Sequence, residues 1–196
     1  KSLIRSRSFG QKITDVRYLQ QAIITHVVRG AEKLRQEGLV AGVLSVGIST
    51  SRHAPNRSYG RASVELSKPS NDSFVLSKIA ADLFRQCYKS HDEKGEPYQY
   101  TKAGVTFYDL QKDDSGTSSF FDFLNTDKSE VMIALDKINR KFGSNAVVLA
   151  SQGTPDKLRG MKAANKKDKA EWSMKRNHMS PRYTTVWDEV LKVKIG

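Results

Sequence analysis

Cysteine is almost missing from this chain: Cys87 stands alone. One thiol excludes an internal disulfide and any cysteine-cluster zinc site, and it suits a reducing cytoplasm. Long apolar runs are missing too. No uncharged stretch, "LVAGVLSVGISTS" included, reaches the ~20 apolar residues a membrane helix needs. A basic amphipathic helix with exposed apolar anchors is likewise not found, so no membrane partner is expected. An initial methionine is absent, and "KSLIRSRSFG" does not read as a signal peptide; Lys1 reads as a cut inside a longer protein. The four histidines, His26, His53, His91 and His178, show neither ligand spacing nor acidic neighbours, so no metal is assigned.

Acidic residues are also in deficit. Lys and Arg number 33 against 21 Asp and Glu, a net charge of +12 over 196 residues, with a pI near 9.8. Such an excess points to a polyanionic partner, nucleic acid before membrane. The length allows one full domain and a small second one.

The apolar pattern defines the elements. "LIRSRSF" at 3–9 reads as a strand, and Thr14 or Asp15 as the N-cap of a helix. Val16, Leu19, Ile23, Val27, Ala31 and Leu34 recur at helical spacing up to Gly38. Leu44, Val46 and Ile48 then alternate with Ser45, Gly47 and Ser49, the mark of a strand buried on one face. "RHAPNRSYGRA" reads as a turn-rich loop carrying Arg52, Arg57 and Arg61, and "SVELS" as a short strand with Val64 and Leu66 on one side. "PSNDS" opens a second helix with a stripe of Leu76, Ile79, Ala80, Leu83, Phe84 and Cys87. After the polar turn "HDEKGEP" comes "YQYTKAGVTFYDL", whose Ala103, Val105 and Phe107 face one way and Lys102, Gly104 and Thr106 the other.

The order β-α-β-β-α-β predicts an α+β domain: a four-stranded antiparallel sheet with two helices on one face. The other face would present Ser45, Gly47, Ser49, Ser63, Lys102, Gly104 and Thr106, small and hydroxyl-bearing. Backbone N–H groups, hydroxyls and a lysine are what phosphate oxygens bind. Beyond Leu110 a polar linker carries Asp113, Asp114 and three phenylalanines. Asp127 and Glu130 then open a helix with Val131, Leu135, Ile138 and Phe142 on its apolar side, closed by Gly143. "AVVLA" at 146–150 reads as a short strand, and the lysine-rich remainder from Thr154 as irregular. Lys162, Lys166, Lys167 and Lys169 are either a solvated run or a second contact surface, and Trp172 and Trp187 read as docking anchors. A small α/β C-terminal extension is expected.

"RSFG" at 7–10, "YTKAG" at 100–104 and above all "EWSMKRNHMSPRYTTVWDEV" at 171–190 resemble the UmuC family, the catalytic subunits of bacterial DNA polymerase V and members of the Y-family of translesion polymerases. The resemblance implies a little finger domain over residues 1–110, a linker over 111–126 and a UmuC-type C-terminal extension over 127–196. It implies a sheet laid against primer–template duplex DNA, with contacts from Arg5, Ser6, Arg7, Ser8, Ser49, Lys102, Gly104 and Thr106. Arg5 and Arg7 share a strand parity with Leu3 and Phe9, which a bulge would relieve. The family's two-metal nucleotidyl transfer uses palm carboxylates. Those would lie upstream, so no cofactor is expected in this chain, magnesium is expected only in that palm, and the chain alone would be no enzyme. Where relatives carry a Gln-Leu-x-Leu-Phe clamp-binding peptide, this chain has Thr117, Ser118, Ser119, Phe120 and Phe121. Phe120 and Phe121 are thus either a clamp-binding remnant or packing residues. The resemblance further implies SOS-induced DNA repair, a UmuD dimer, RecA and the sliding clamp as partners, and a cytoplasmic, nucleoid-associated location in bacteria. Two alternatives remain open: a single-strand RNA binder of the RNA-recognition type, which has the same element order, and an extension serving as a protein-interaction module.

Overall fold

In a computed structural model of the chain, the described residues are 1–113, 129–143 and 146–153. Strand β1 (Leu3–Ile13) leads into helix α1 (Val16–Gln36), followed by β2 (Leu39–Thr50), β3 (Tyr59–Ser70), helix α2 (Ser73–Cys87) and β4 (Tyr100–Lys112). The strands form one antiparallel sheet in the spatial order β1-β4-β2-β3, so β4 and β2 are central and β1 and β3 are edges. This is the expected α+β domain, with longer strands. Both "LIRSRSF" and "SVELS" extend beyond the apolar alternation, since the backbone ladder continues where side chains no longer alternate.

Asp15 is the N-cap of α1, its carboxylate accepting the Arg17 backbone N–H at 2.8 Å. Asp72 caps α2 in the same way. Each cap satisfies an orphan donor of the first turn. Leu19, Ile23, Val27, Ala31 and Leu34 are all fully buried, while Val16 at the first turn is 41% exposed. From α2, Leu76, Ala80, Leu83, Phe84 and Cys87 are buried, and burial pushes the Cys87 thiol up. Both stripes meet one face of the sheet. Leu44, Val46 and Ile48 of β2 and Ala103, Val105 and Phe107 of β4 supply that face and are at most 1% exposed. They pair directly, Leu44 with Phe107, Val46 with Val105 and Ile48 with Ala103. At ~25 cal/mol per Å2 of apolar surface, this layer is the main source of stability.

The pairing of β4 shifts at Thr101: Ser49 faces Lys102, whereas Thr50 faces Tyr100. The extra residue turns Tyr100 into the core, where its hydroxyl donates to Lys89 O at 2.8 Å. Simple alternation would have put Tyr100 on the same face as Lys102.

Helix α3 (Ser129–Phe142) is fixed to α1 by a fork of Arg35 on Asp136, Nε–Oδ2 2.7 Å and Nη2–Oδ1 2.8 Å. Arg35 Nη1 also donates to Asn71 O and Ser73 Oγ, so one guanidinium joins α1, α3 and the start of α2. The expected apolar side of α3 is corrected here. Met132 is the buried position and Leu135 packs on the core, while Val131, Ile138 and Phe142 are exposed. The Asp136 fork sets the rotation of the helix, which the spacing of its apolar residues does not reveal. Asp127 lies outside the described residues. "AVVLA" is also not a strand: it lies against α1, away from both sheet edges. The Asn139 side chain instead bonds both the N–H and the C=O of Val147. Leu149 enters the core, and a 3-10 turn follows at Ala150–Gln152.

His26 of α1 is buried, and burial first, then Arg29, Arg7 and Arg5, lower its pKa to about 4. A histidine held neutral in the fold binds fewer protons than in the unfolded chain, whose imidazole titrates near 6.5. Stability is therefore complete above pH 6.5 and declines as pH falls toward 4, by about 3 kcal/mol for this group. Urea unfolding of the wild type and His26→Leu at pH 7, 5.5 and 4 should show the wild type losing about 3 kcal/mol of stability relative to the variant as pH falls. Parallel curves would rule out this linkage.

Candidate nucleic-acid interface

Among the described residues, both α1 and α2 lie on one side of the sheet, and α3 packs on α1. The opposite face of the sheet is left open. Its register sets out transverse rows. Ser8, Lys102, Ser49 and Tyr59 form the first, Ser6, Gly104, Gly47 and Arg61 the second, and Ile4, Thr106, Ser45 and Ser63 the third. The surface is a shallow trough of about 300 Å3, floored where Gly104 and Gly47 face each other.

Of the site residues expected from sequence, Ser6, Ser8, Ser49, Lys102, Gly104 and Thr106 all belong to this face. Among the described residues, the side-chain hydroxyls of Ser6, Ser8, Ser49 and Thr106 make no hydrogen bond, and Lys102 makes no ion pair. These groups are free for a ligand. Ser45 is not: it is 2% exposed, accepts from Arg61 Nε at 3.0 Å and donates to Ala62 O at 3.3 Å.

Arg5 and Arg7 lie elsewhere. The pairing of β1 is unbroken from Leu3 to Ser8 and shifts only beyond it, so the bulge that would have relieved the parity conflict is not there. Arg5 opposes Val105 and Arg7 opposes Ala103, which puts both on the helix side of the sheet, exposed because β1 is an edge. They reach a ligand on the open face only around that edge. Arg29 of α1 lies near them, and burial and the charges of Arg7 and Arg5 lower its pKa.

Arg61 was expected in a loop and instead belongs to β3. Its guanidinium reaches over Ser45 to the Tyr108 hydroxyl, with Cζ 5.9 Å from the Tyr108 ring centre. Tyr59 beside it is 72% exposed. Sequence reading left Tyr59 and Tyr108 out of the site; the odd positions of a strand beginning at Tyr59 were the available signal for Tyr59 and Arg61, and the continued alternation of β4 beyond Thr106 for Tyr108. Arg52 and Arg57 do lie between β2 and β3, outside the rows. Asp113 directly follows β4, where it accepts from Asn71 Nδ2 at 2.9 Å; this corrects its placing in an unsupported linker. Asp114, Phe120 and Phe121 lie outside the described residues, as do Trp172 and Trp187. Among the described residues, no cluster of His, Cys, Asp or Glu is arranged to hold a metal, and no helix is long and apolar enough to cross a membrane.

The two floor glycines differ. A Cβ on Gly104 would run into Ser6, with Ser6 Cα at 2.9 Å and Arg5 O at 3.0 Å, whereas a Cβ on Gly47 would meet only Gly60 O, at 3.9 Å. Gly104 is thus required by the close approach of β1, and its bareness has a packing cause. Gly47 has none.

Residues 1–120 match the impB/mucB/samB family C-terminal domain. The chain belongs to this family. Residues 129–193 match a second domain, one of unknown function. The chain is 30% identical to protein UmuC of Salmonella typhimurium over 198 residues, 99% of the chain and 42% of that protein. It is 30% identical to ImpB of Salmonella typhimurium over 100% of the chain and 42% of that protein, and to MucB of Escherichia coli over 97% and 41%. The chain therefore spans less than half the length of these relatives. Among solved structures it is similar to an insertion ternary complex of Dbh DNA polymerase, at 12% identity with a TM-score of 0.40, covering 57% of this chain and 28% of that one.

The glycine contrast gives a stability test. Gly104→Ala should cost about 1–3 kcal/mol through overpacking against β1, and Gly47→Ala should gain about 0.5–1 kcal/mol from lower unfolded-state entropy. Equilibrium denaturation of both variants checks this, and a Gly104→Ala protein as stable as wild type would contradict it.

Proposed function

We propose that this chain is the DNA-gripping part of a UmuC-like Y-family polymerase acting in error-prone translesion synthesis within the SOS response. Residues 1–112 serve as the little finger, since β4 carries the sheet two residues beyond the expected boundary at 110, with a linker from there to 126 and 127–196 as a C-terminal extension. The open sheet face carries this reading: a shallow glycine-floored trough with free hydroxyls and an unpaired lysine, in a chain of net charge +12. Such a face binds phosphodiester backbones closely and without regard to sequence. Family membership and the name UmuC of a full-length relative support it.

In this role Ser6, Ser8, Ser49 and Thr106 donate to phosphate oxygens, Lys102 neutralises charge, and Gly47 and Gly104 keep the floor low. Arg5 and Arg7 serve a backbone passing over the β1 edge. The chain itself performs no nucleotidyl transfer; magnesium and its carboxylates are assigned to a palm domain upstream. UmuD, RecA and the sliding clamp are the proposed protein partners, the last through Phe120 and Phe121, in the bacterial cytoplasm at the nucleoid.

Tyr59 favours a second reading. A ring 72% exposed beside a cationic trough suits stacking on an unpaired base. Competition between primer–template duplex and single-stranded RNA separates the two, and preference for RNA reverses the assignment.

Titration of the chain with primer–template DNA across salt concentrations tests the main reading. Log affinity should fall linearly with log salt, each phosphate contact contributing roughly −0.9 to the slope. Lys102→Ala should make the slope shallower by about 1 and weaken all sequences alike. Gly47→Val, which raises the floor, should bind about tenfold more weakly, a change of ~1.4 kcal/mol. Wild-type binding by both variants would remove the trough from the interface.

A further inference from the structure

Arg61 differs from several ion-paired cations of the described residues. Arg17, Lys33, Arg35 and Arg85 each contact a carboxylate. Arg61 is held by neutral oxygens instead: Ser45 Oγ accepts from Nε at 3.0 Å and the Tyr108 hydroxyl accepts from Nη2. The Tyr108 ring lies beneath the charge. Hydrogen bonding to Tyr108, with a smaller contribution from Tyr59, raises the guanidinium pKa further. A guanidinium has five N–H donors. Ser45 and Tyr108 take two, and even if Tyr59 takes a third, two remain. The charge is thus oriented, exposed and not neutralised, which is the state in which an arginine accepts a phosphate bidentately.

Its place in the register gives the geometry. Arg61 starts from the glycine row, and its side chain leaves that row diagonally, over Ser45 on β2 toward Tyr108 on β4. Successive rows are two residues apart, or roughly 6.7 Å at strand rise. Lys102 is therefore one row to one side of the glycine floor, and the Arg61 guanidinium is one to two rows to the other. The floor itself, Gly104 and Gly47, is left clear between two cations.

We infer that this trough seats a single phosphodiester strand running across the β-strands, that Arg61 binds the phosphate on the side opposite Lys102, and that Tyr108 is the positioning residue that holds Arg61 there. The inference deepens the proposed DNA grip and rests on it; it assigns a path for the backbone and two residues not otherwise given a role.

The experiment is a salt-dependent titration of the whole chain with primer–template DNA for Arg61→Ala, Arg61→Lys, Tyr108→Phe and the Arg61→Ala/Tyr108→Phe pair, with Lys102→Ala as reference. Denaturation curves confirm that each variant folds; Arg61 is exposed, so its removal leaves the core intact. Arg61→Ala should bind about tenfold more weakly with a slope shallower by about 1. Arg61→Lys should recover the slope without the affinity, because the charge returns and the fork does not. Tyr108→Phe should weaken binding several-fold with the wild-type slope, and should have no effect once Arg61 is Ala. If Arg61→Ala binds like wild type while Lys102→Ala is impaired, the path is wrong and the grip stands. If both bind like wild type, the grip itself fails. Additive losses from Arg61→Ala and Tyr108→Phe would remove the positioning role.

Discussion

The pairing of the two central strands is the constraint on which the molecule depends. Leu44 opposite Phe107, Val46 opposite Val105 and Ile48 opposite Ala103 place the apolar middle of β2 and β4 under the helices. A strand side chain has only two directions available, so the same register sends Ser45, Gly47, Ser49, Lys102, Gly104 and Thr106 to the other face. A slip of one residue would exchange the two sets, exposing the apolar one and burying a lysine. The cost of that exchange fixes the register. Core and candidate interface are in this sense one choice, made by the alternation of two strands.

A face left open by helices on the far side still has to avoid pairing with its own kind and sticking to anything apolar. Small residues, hydroxyls and cations achieve this while leaving backbone close to the surface. The positive excess of the chain adds repulsion between copies and attraction to polyanions. The glycines at the centre have separate causes. Gly104 answers to the approach of β1, and Gly47 answers to nothing inside the described protein. A glycine without an internal reason, on a strand where it costs stability, is the residue whose explanation must come from outside the described residues.

Most of this was readable from the sequence because it follows from periodicity. The stripes of α1 and α2, the caps at Asp15 and Asp72, and the two faces of β2 and β4 all come from spacing. Periodicity failed where a tertiary contact overrides it. The Arg35–Asp136 fork sets the rotation of α3, so its buried residue is Met132 and not Val131 or Ile138. The β4 bulge turns Tyr100 inward. Arg61 and Tyr59 read as loop residues because β3 begins in a stretch rich in turn formers, where local preference says loop and the edge of an existing sheet says strand; Tyr108 continues the alternation of Lys102, Gly104 and Thr106 along β4. "AVVLA" shows the reverse error: strand-like residues remain unpaired when they pack on a helix, here α1, away from either sheet edge.

The β1 edge shows how charge is arranged around such a face. Arg5 and Arg7 project on the helix side near Arg29, and beneath them lies His26. A buried imidazole in that position could add a fourth positive charge beside three arginines, of which Arg29 has the Glu32 carboxylate nearby. Desolvation and the arginines together keep it neutral at physiological pH. The flank thus carries its charge only on side chains that reach solvent, where an anion can meet them, and none in the core, where it would be unpaired. A backbone lying in the trough as proposed, and leaving across β1, would meet cations on the floor's margins and again past the edge, with the one imidazole beneath them neutral.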